Sequence, residues 1–443
     1  MCHVNFKRGL MEGRIRAEWN RLKKVVVHKP GIEMFFGLLD PEASLYERAF
    51  DQEKAVKEHE ALSEALKEQF KVKVSEMTDI IKEHAQKEQS VKDNVVKAAL
   101  NSIDFSESGK RAKRLKDNIK ENADSYGIDY FLNIMMLMPK MQLKDETGIK
   151  AIHINVTERD PLSNLYFMRD QQAVTDRGIF LSRMAKPQRR KETDFTKILW
   201  KIMKIPIVHE ANAPATFEGG DFMPMKNFAL VGLGDRTNIY GVKQMLNYGQ
   251  SFDEVAVVHK PSHPLIPSAD ADPMVNMHLD TYFNVAGSDV VVGSKVLLEK
   301  AKVDIYTKNS ESEYEISSKS TNLYDYITGK GFKLINISTL EQISYASNFL
   351  CVKDHAILAI NTKSTVKNVL RNLELKANKN PERYAALLSQ AKRDYKTLAS
   401  SGNLFPHKKE MHENGIDYYA IDLENITGGY GGAHCMTAVI ERG

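Results

Sequence analysis

The chain is short of cysteine, with three in 443 residues: Cys2, Cys351 and Cys435. So few cannot build a disulfide framework, and none forms a C-x-x-C metal pair. Both absences point to a reducing, cytoplasmic setting in which a thiol of interest acts as a nucleophile. Long apolar runs are also missing, since no stretch approaches the roughly 18 consecutive residues that span a bilayer. The start, Met1-Cys-His-Val-Asn-Phe-Lys-Arg, lacks the apolar stretch and cleavage site of a secretory signal. Neither a membrane nor export is therefore expected. Charge is balanced: 62 Lys and Arg against 58 Asp and Glu leave +4, too little to argue for a nucleic-acid partner. The densest basic run, Gly109-Lys-Arg-Ala-Lys-Arg-Leu-Lys116, reads as the solvated face of a helix.

What the chain does have is repetition. Val25-Val-Val-His-Lys-Pro-Gly31 reads as a buried strand ending in a turn, and the same text returns as Val255-Ala-Val-Val-His-Lys-Pro-Ser262. Phe180-Leu-Ser-Arg-Met-Ala-Lys-Pro187 is a looser third copy. Five segments, beginning at Asn164, Glu218, His278, Asn348 and Gly432, place a polar residue at the opening of a strand or hairpin. Four of them bring a candidate catalytic group. If such units are arranged radially, their openings converge on one axis and line one cavity. The intervening text is helical: Glu47 to Phe70 and Leu370 to Ala399 carry apolar residues at helical spacing. Residues 80–145 read as a charged helical insertion within a single catalytic domain spanning 1–443.

The glycine-rich segment Thr427-Gly-Gly-Tyr-Gly-Gly-Ala-His-Cys435 delivers a thiol and an imidazole close to the chain end. In His278-Leu-Asp280, strand alternation predicts that imidazole and carboxylate share one face. Glu218-Gly-Gly-Asp221 predicts a tight turn beside an inward carboxylate, and Arg169-Asp170 adds another acid. Alone, each also fits a structural ion pair or an acidic turn. Together, Asp170, Glu218, His278, Asp280 and Cys435 place several carboxylates in one pocket, where they repel unless a cation enters. The expected ligand is a planar, delocalised cation such as a guanidinium. A rival reading takes His278-x-Asp280 with His407 or His434 as a non-haem iron triad, but leaves Cys435, Glu218 and the repeats unexplained.

Taken together, Asn164-Leu-Tyr-Phe-Met-Arg-Asp170, Arg189-Arg190-x-Glu192-Thr, Glu218-Gly-Gly-Asp221, His278-Leu-Asp280-Thr-Tyr-Phe and Gly432-Ala-His-Cys435-Met-Thr resemble the motifs of arginine deiminases. These enzymes belong to the guanidino-group-modifying superfamily. The resemblance runs in the family's order from about Leu22 to the C-terminus. It implies an α/β fold, specifically a five-bladed pseudo-symmetric α/β propeller of ββαβ repeats with a helical insertion. It implies hydrolysis of L-arginine to citrulline and ammonia, with Cys435 as nucleophile and His278 as general acid and base. Glu218 would assist proton traffic, and Asp170 and Asp280 would grip the guanidinium nitrogens. Asn164, Arg189 and Arg236 would recognise the amino-acid end of the substrate, with no metal or organic cofactor. A homo-oligomer is expected from the same resemblance. Tyr430 stands where the family usually carries an arginine. Related activities to be distinguished are a dihydrolase ending at ornithine, an amidinotransferase, and a deiminase of another guanidine such as agmatine.

Overall fold

The computed structural model describes residues 13–105, 109–145, 152–266 and 272–443; Cys2 lies outside the described residues. The fold is mixed α/β, and its strands fall into small sheets that obey one rule. In each of five sheets, a central strand pairs antiparallel with one neighbour and parallel with the other. A parallel neighbour cannot be reached by a tight turn, so the chain must cross over between the second and third strands. It does so through helices.

Four units lie in sequence order. Gln172–Val174 and Ile179–Leu181 lead through the helix Glu192–Ile202 to Ile207–Glu210. Phe222–Pro224 and Phe228–Leu233 lead through Ile239–Gln244 to Glu254–His259. Phe283–Val285 and Val290–Gly293 lead to Lys333–Asn336 by way of Leu323–Gly329. Leu350–Lys353 and Ala356–Ile360 lead through Thr362–Lys379 and Pro381–Ser401 to Asp417–Ile421. The fifth sheet joins the two chain ends: Leu22–Val27 is central, Ala438–Arg442 is antiparallel to it, and Lys73–Glu76 is parallel. Central strands are sealed on both faces, as Val25, Val26, Val290, Val291 and Ile357 illustrate. This is why they read as unbroken apolar runs.

Three expectations are corrected by the backbone. The Val25 and Val255 texts are not copies of one structural position, because Leu22–Val27 is a central strand whereas Glu254–His259 is the parallel third strand of its unit. The helix expected from Glu47 begins at Gln52, since Asp51 accepts a hydrogen bond from the Lys54 amide and caps it there. The stretch Leu370 to Ala399 is two helices rather than one, broken where Asn380 caps a new helix with Pro381 in its first turn. Lys302–Lys308 and Tyr314–Asn322 form a hairpin that extends the sheet of Glu254–His259 at its edge.

Helices Met77–Lys87, Gln89–Ser102, Lys110–Glu121 and Ile128–Leu137 occupy much of the span between the chain-end sheet and Asp170. Val95, Phe131, Leu132 and Met135 pack with Phe195 and Trp200 in one apolar cluster. Lys110–Glu121 carries the basic run and buries none of its residues. No described helix is long and apolar enough to cross a membrane.

Candidate active site

Every unit opens toward the site just ahead of its first strand. Asp170 precedes Gln172–Val174; Glu218 precedes the turn Gly219–Asp221; His278 precedes the turn Leu279–Thr281; Asn348 precedes Leu350–Lys353; Cys435 precedes Ala438–Arg442. His278 and Asp280 are thus not on a strand, and strand alternation does not set their directions. A single 3-10 turn brings both inward, and both are buried. The turn is itself held by Asp221, whose Oδ1 accepts the Leu279 amide at 3.0 Å. Gly220 has to be glycine for a related reason: a Cβ there would lie 2.9 Å from His278 Nδ1.

The imidazole of His278 donates from Nε2 to Glu218 Oε2 at 2.9 Å, and its Nδ1 faces Asp170 Oδ1 at 3.7 Å. Burial works against a charged ring, but Asp170, Glu218 and Asp221 together outweigh it and raise the His278 pKa to about 10. Burial would likewise raise Glu218, yet Arg236, His278 and Arg189 hold it down at about 2. The pair is therefore an imidazolium and a carboxylate at neutral pH. Glu218 Oε1 also accepts the Ala185 amide at 3.0 Å, which fixes the carboxylate plane.

Cys435 is buried, and its thiol lies 3.5 Å from Asp280 Oδ2. Burial first, then the nearby charges of Asp280 and Asp170, push the thiol well above its usual range. Asp280 Oδ2 also accepts from His434 Nδ1 at 2.8 Å; burial would raise Asp280, but that hydrogen bond and the charges of His434, His278 and Arg169 together hold it below its ordinary value. Asp170 Oδ1 and Asp280 Oδ1 are both buried without a hydrogen-bond partner. Two orphaned carboxylate oxygens beside a thiol are acceptors waiting for donors, which a guanidinium supplies in its plane.

The residues expected at the far end of the substrate line the same narrow cavity. Asn164, Asp170, Arg189, Arg236, Tyr430 and Cys435 all contribute to its wall. Two of them are engaged internally. Arg189 forms a fork with Glu192 at 2.9 Å and reaches Asp170 Oδ2 at 2.9 Å with its Nη1. Asn164 donates to the Ser44 carbonyl at 2.7 Å. Arg236 presents a buried Nη1 with no hydrogen-bond partner, 3.7 Å from Glu218 Oε2. Tyr430 adopts a left-handed backbone with φ 72. Lys376 stands behind it, 3.4 Å from its hydroxyl and 3.3 Å from Asp272.

The cavity also takes Phe167 and Gly429, which lie in the quoted motifs, and Leu45 and Met277, which carried no chemical signal in the sequence. Asn348 was visible only as the opening of a unit. His407 does not join the group but bonds to the Tyr418 hydroxyl at 3.1 Å, so it supplies no third ligand for an iron triad.

The arginine deiminase family profile matches residues 43–442, which is most of the chain. The chain belongs to the arginine deiminase family. Among curated relatives, an arginine deiminase of Halobacterium salinarum is 24% identical, over 96% of this chain and 96% of that protein. An arginine deiminase of Limosilactobacillus reuteri is 24% identical, over 81% of this chain and 90% of its own length. Among solved structures, the N-terminal domain of ArgZ, an arginine dihydrolase from cyanobacteria, aligns with TM-score 0.50 and 12% identity, over 95% of this chain and 97% of that one. The ternary complex of AgrE with ornithine and NAD+ aligns with TM-score 0.51 and 13% identity, over 95% of this chain and 39% of that one. These last two likenesses support the fold alone.

Proposed function

We propose that this member of the arginine deiminase family hydrolyses L-arginine to L-citrulline and ammonia through a covalent intermediate on Cys435. The observation that carries the reading is the buried thiol of Cys435 beside the orphaned oxygens of Asp170 and Asp280, with the His278 imidazolium paired to Glu218. Family membership over 43–442 agrees with it.

In this reading the substrate guanidinium lies between Asp170 and Asp280, and its charge offsets the two carboxylates that disfavour a thiolate. The thiol proton passes to solvent as substrate binds, and the resulting thiolate adds to the guanidinium carbon, forming the C–S bond. The tetrahedral species then expels one nitrogen, which leaves as ammonia with the proton of His278. His278, now neutral, takes a proton from water as the water attacks the S-alkylthiouronium carbon. Collapse breaks the C–S bond, and citrulline departs with the water oxygen as its carbonyl. Glu218 holds His278 in orientation through both steps. Arg236, Asn164 and Arg189 are assigned to the amino-acid end, with Arg189 required to release Asp170 as substrate enters. The group needs no metal or organic cofactor.

The five sheets of one connectivity, each opening at the site, support a radial arrangement as the five blades of a propeller. The chain is then one catalytic domain, with 80–145 inserted after the first blade. The cytoplasm is the compartment assigned by cysteine usage, and a homo-oligomer is the state assigned by family resemblance.

The test is incubation with L-arginine, with ammonia, citrulline and ornithine measured together and agmatine run alongside. Citrulline and ammonia in equal amounts are expected. Ornithine would replace the reading by a dihydrolase, and turnover of agmatine alone would move the substrate. Cys435→Ala is expected to remain folded and to lose turnover by at least about 1,000-fold, and an active variant would remove the covalent route.

A further inference from the structure

Each of the other four units contributes an ionisable group to the cavity or to the groups around it, whereas the unit of Leu350–Lys353 opens on an amide. Asn348 is buried, and each face of its side chain is used. Its Oδ1 accepts two backbone amides, Gly432 N–H at 2.8 Å and Cys435 N–H at 3.1 Å. Its Nδ2 lies 3.1 Å from Cys435 Sγ. The two amide donors settle which way the side chain points, because a flipped amide would set N–H against N–H. A donor therefore faces the sulfur. Among the described residues, the other polar atom bonded to Sγ is Asp280 Oδ2, which is an acceptor and repels a thiolate.

The surroundings make this placement hard to replace. Asn348 also donates from Nδ2 toward the Asp280 carbonyl at 3.4 Å, and its own carbonyl accepts the His434 amide at 3.1 Å. One residue thus touches the chain at Gly432, His434 and Cys435, where it leads into the reacting sulfur, and the segment that carries Asp280. Gly432 allows the close approach, since a Cβ there would lie 3.2 Å from Asn348 Oδ1 and 2.2 Å from Ile360 Cδ1.

We propose that Asn348 is a catalytic residue of the reaction: its Nδ2–H holds negative charge on Cys435 Sγ, while its Oδ1 fixes the turn that aims the sulfur. The proposal rests on the reading of Cys435 as nucleophile. The same donor serves twice, once when the thiolate attacks and again when the thiolate leaves the S-alkylthiouronium. A hydrogen bond to a charged group in a buried site is worth about 10- to 100-fold in the population of the charged form.

The experiment separates donor from scaffold. Asn348→Asp keeps the acceptor that Gly432 and Cys435 need but turns an oxygen toward the sulfur, and Asn348→Ala removes both functions. The readout is the rate at which iodoacetamide alkylates Cys435 at fixed pH, followed on the peptide that contains it, alongside kcat and KM for L-arginine. Both variants are expected to alkylate about 10- to 100-fold more slowly, Asp no faster than Ala, and to lose kcat by at least the same factor with KM moving less. A purely structural role predicts that Asn348→Asp behaves as the wild type, and an alkylation rate within about 2-fold of wild type would overturn the proposal. Should Asn348→Asp fail to fold, as judged by circular dichroism, the alkylation rate of Asn348→Ala decides by the same threshold. An active Cys435→Ala overturns both this inference and the nucleophile reading. An inactive Cys435→Ala together with unaffected Asn348 variants overturns this inference alone.

Discussion

At the scale of single residues, the site is a set of charges whose protonation is set by neighbours. His278 carries its proton up to about 10 because Asp170, Glu218 and Asp221 outweigh the effect of burial. Catalysis in the proposed scheme needs that proton for the departing ammonia. The sign follows: an imidazolium competent to donate is present below about 10 and is lost above it, so the alkaline fall of kcat/KM is expected near that value and not through neutral pH. Glu218→Gln removes a charge from the 2.9 Å contact to Nε2 and is expected to move the alkaline limb down by about 1–2 pH units. A pH profile of kcat/KM that falls through neutrality in the wild type, or does not move in Glu218→Gln, would contradict the assignment. The titratable members of this set were legible in the sequence because their motifs carry chemistry. Asn348 was less so, since an asparagine ahead of a strand has many structural uses and only its 3.1 Å approach to the sulfur distinguishes it.

At the scale of elements, the turn that follows the strand Leu22–Val27 is held by a buried imidazole. His28 bonds through Nδ1 to Glu76 Oε1 and through Nε2 to Glu33 Oε1, both at 3.1 Å. It thereby ties the central strand to the short helix Ile32–Gly37 and to the parallel strand Lys73–Glu76. Burial opposes a charged ring here, but the two carboxylates win and raise the pKa of His28 from 6.5 to about 9. The other buried imidazole facing it, His59, is driven the opposite way by burial, to about 3, and stays neutral. Because the folded pKa is raised, this stabilisation is fully present below 6.5 and is lost as pH rises through about 9. The shift corresponds to about 3 kcal/mol. Unfolding free energies from denaturant titrations near either end of this window are expected to differ by about that amount, and the difference should shrink in His28→Gln. Equal pH dependence in both proteins would dismiss the tether. Element boundaries were the least legible part of the chain. Alternation suggested a strand through His278 and Asp280, where a 3-10 turn stands, because a turn and a strand both present polar residues two apart. The Val25 and Val255 texts matched because buried parallel-paired strands share composition whatever their place in the unit.

At the scale of the whole molecule, the nucleophile is positioned by closing the chain on itself. Ala438–Arg442 pairs with Leu22–Val27, so the strand that follows Cys435 is completed only when both ends of the protein meet. A buried ion pair seals that joint: Arg442 Nη2 meets Glu18 Oε2 at 3.0 Å, and Arg442 Nη1 donates to the Asn20 and Cys351 carbonyls at 2.8 and 2.9 Å. The pair also touches the site, since Arg169 lies 3.6 Å from Glu18 and donates to the His434 carbonyl at 3.2 Å. None of this was readable from the text, because the partners stand hundreds of positions apart and neither lies in a motif. Removing one member of a buried pair leaves the other charge poorly compensated, which costs about 3–5 kcal/mol, whereas removing both leaves only Arg169 without its Glu18 contact. Arg442→Met is therefore expected to destabilise strongly, and Glu18→Gln combined with Arg442→Met to destabilise by less than the two single changes added together. Heat-inactivation rates followed by citrulline formation measure this directly, because the activity depends on the strand that Arg442 anchors. Strict additivity of the two changes would show that Glu18 and Arg442 act independently, and the closure of the chain ends would then rest on the backbone pairing of Leu22 with Arg442 rather than on their charges.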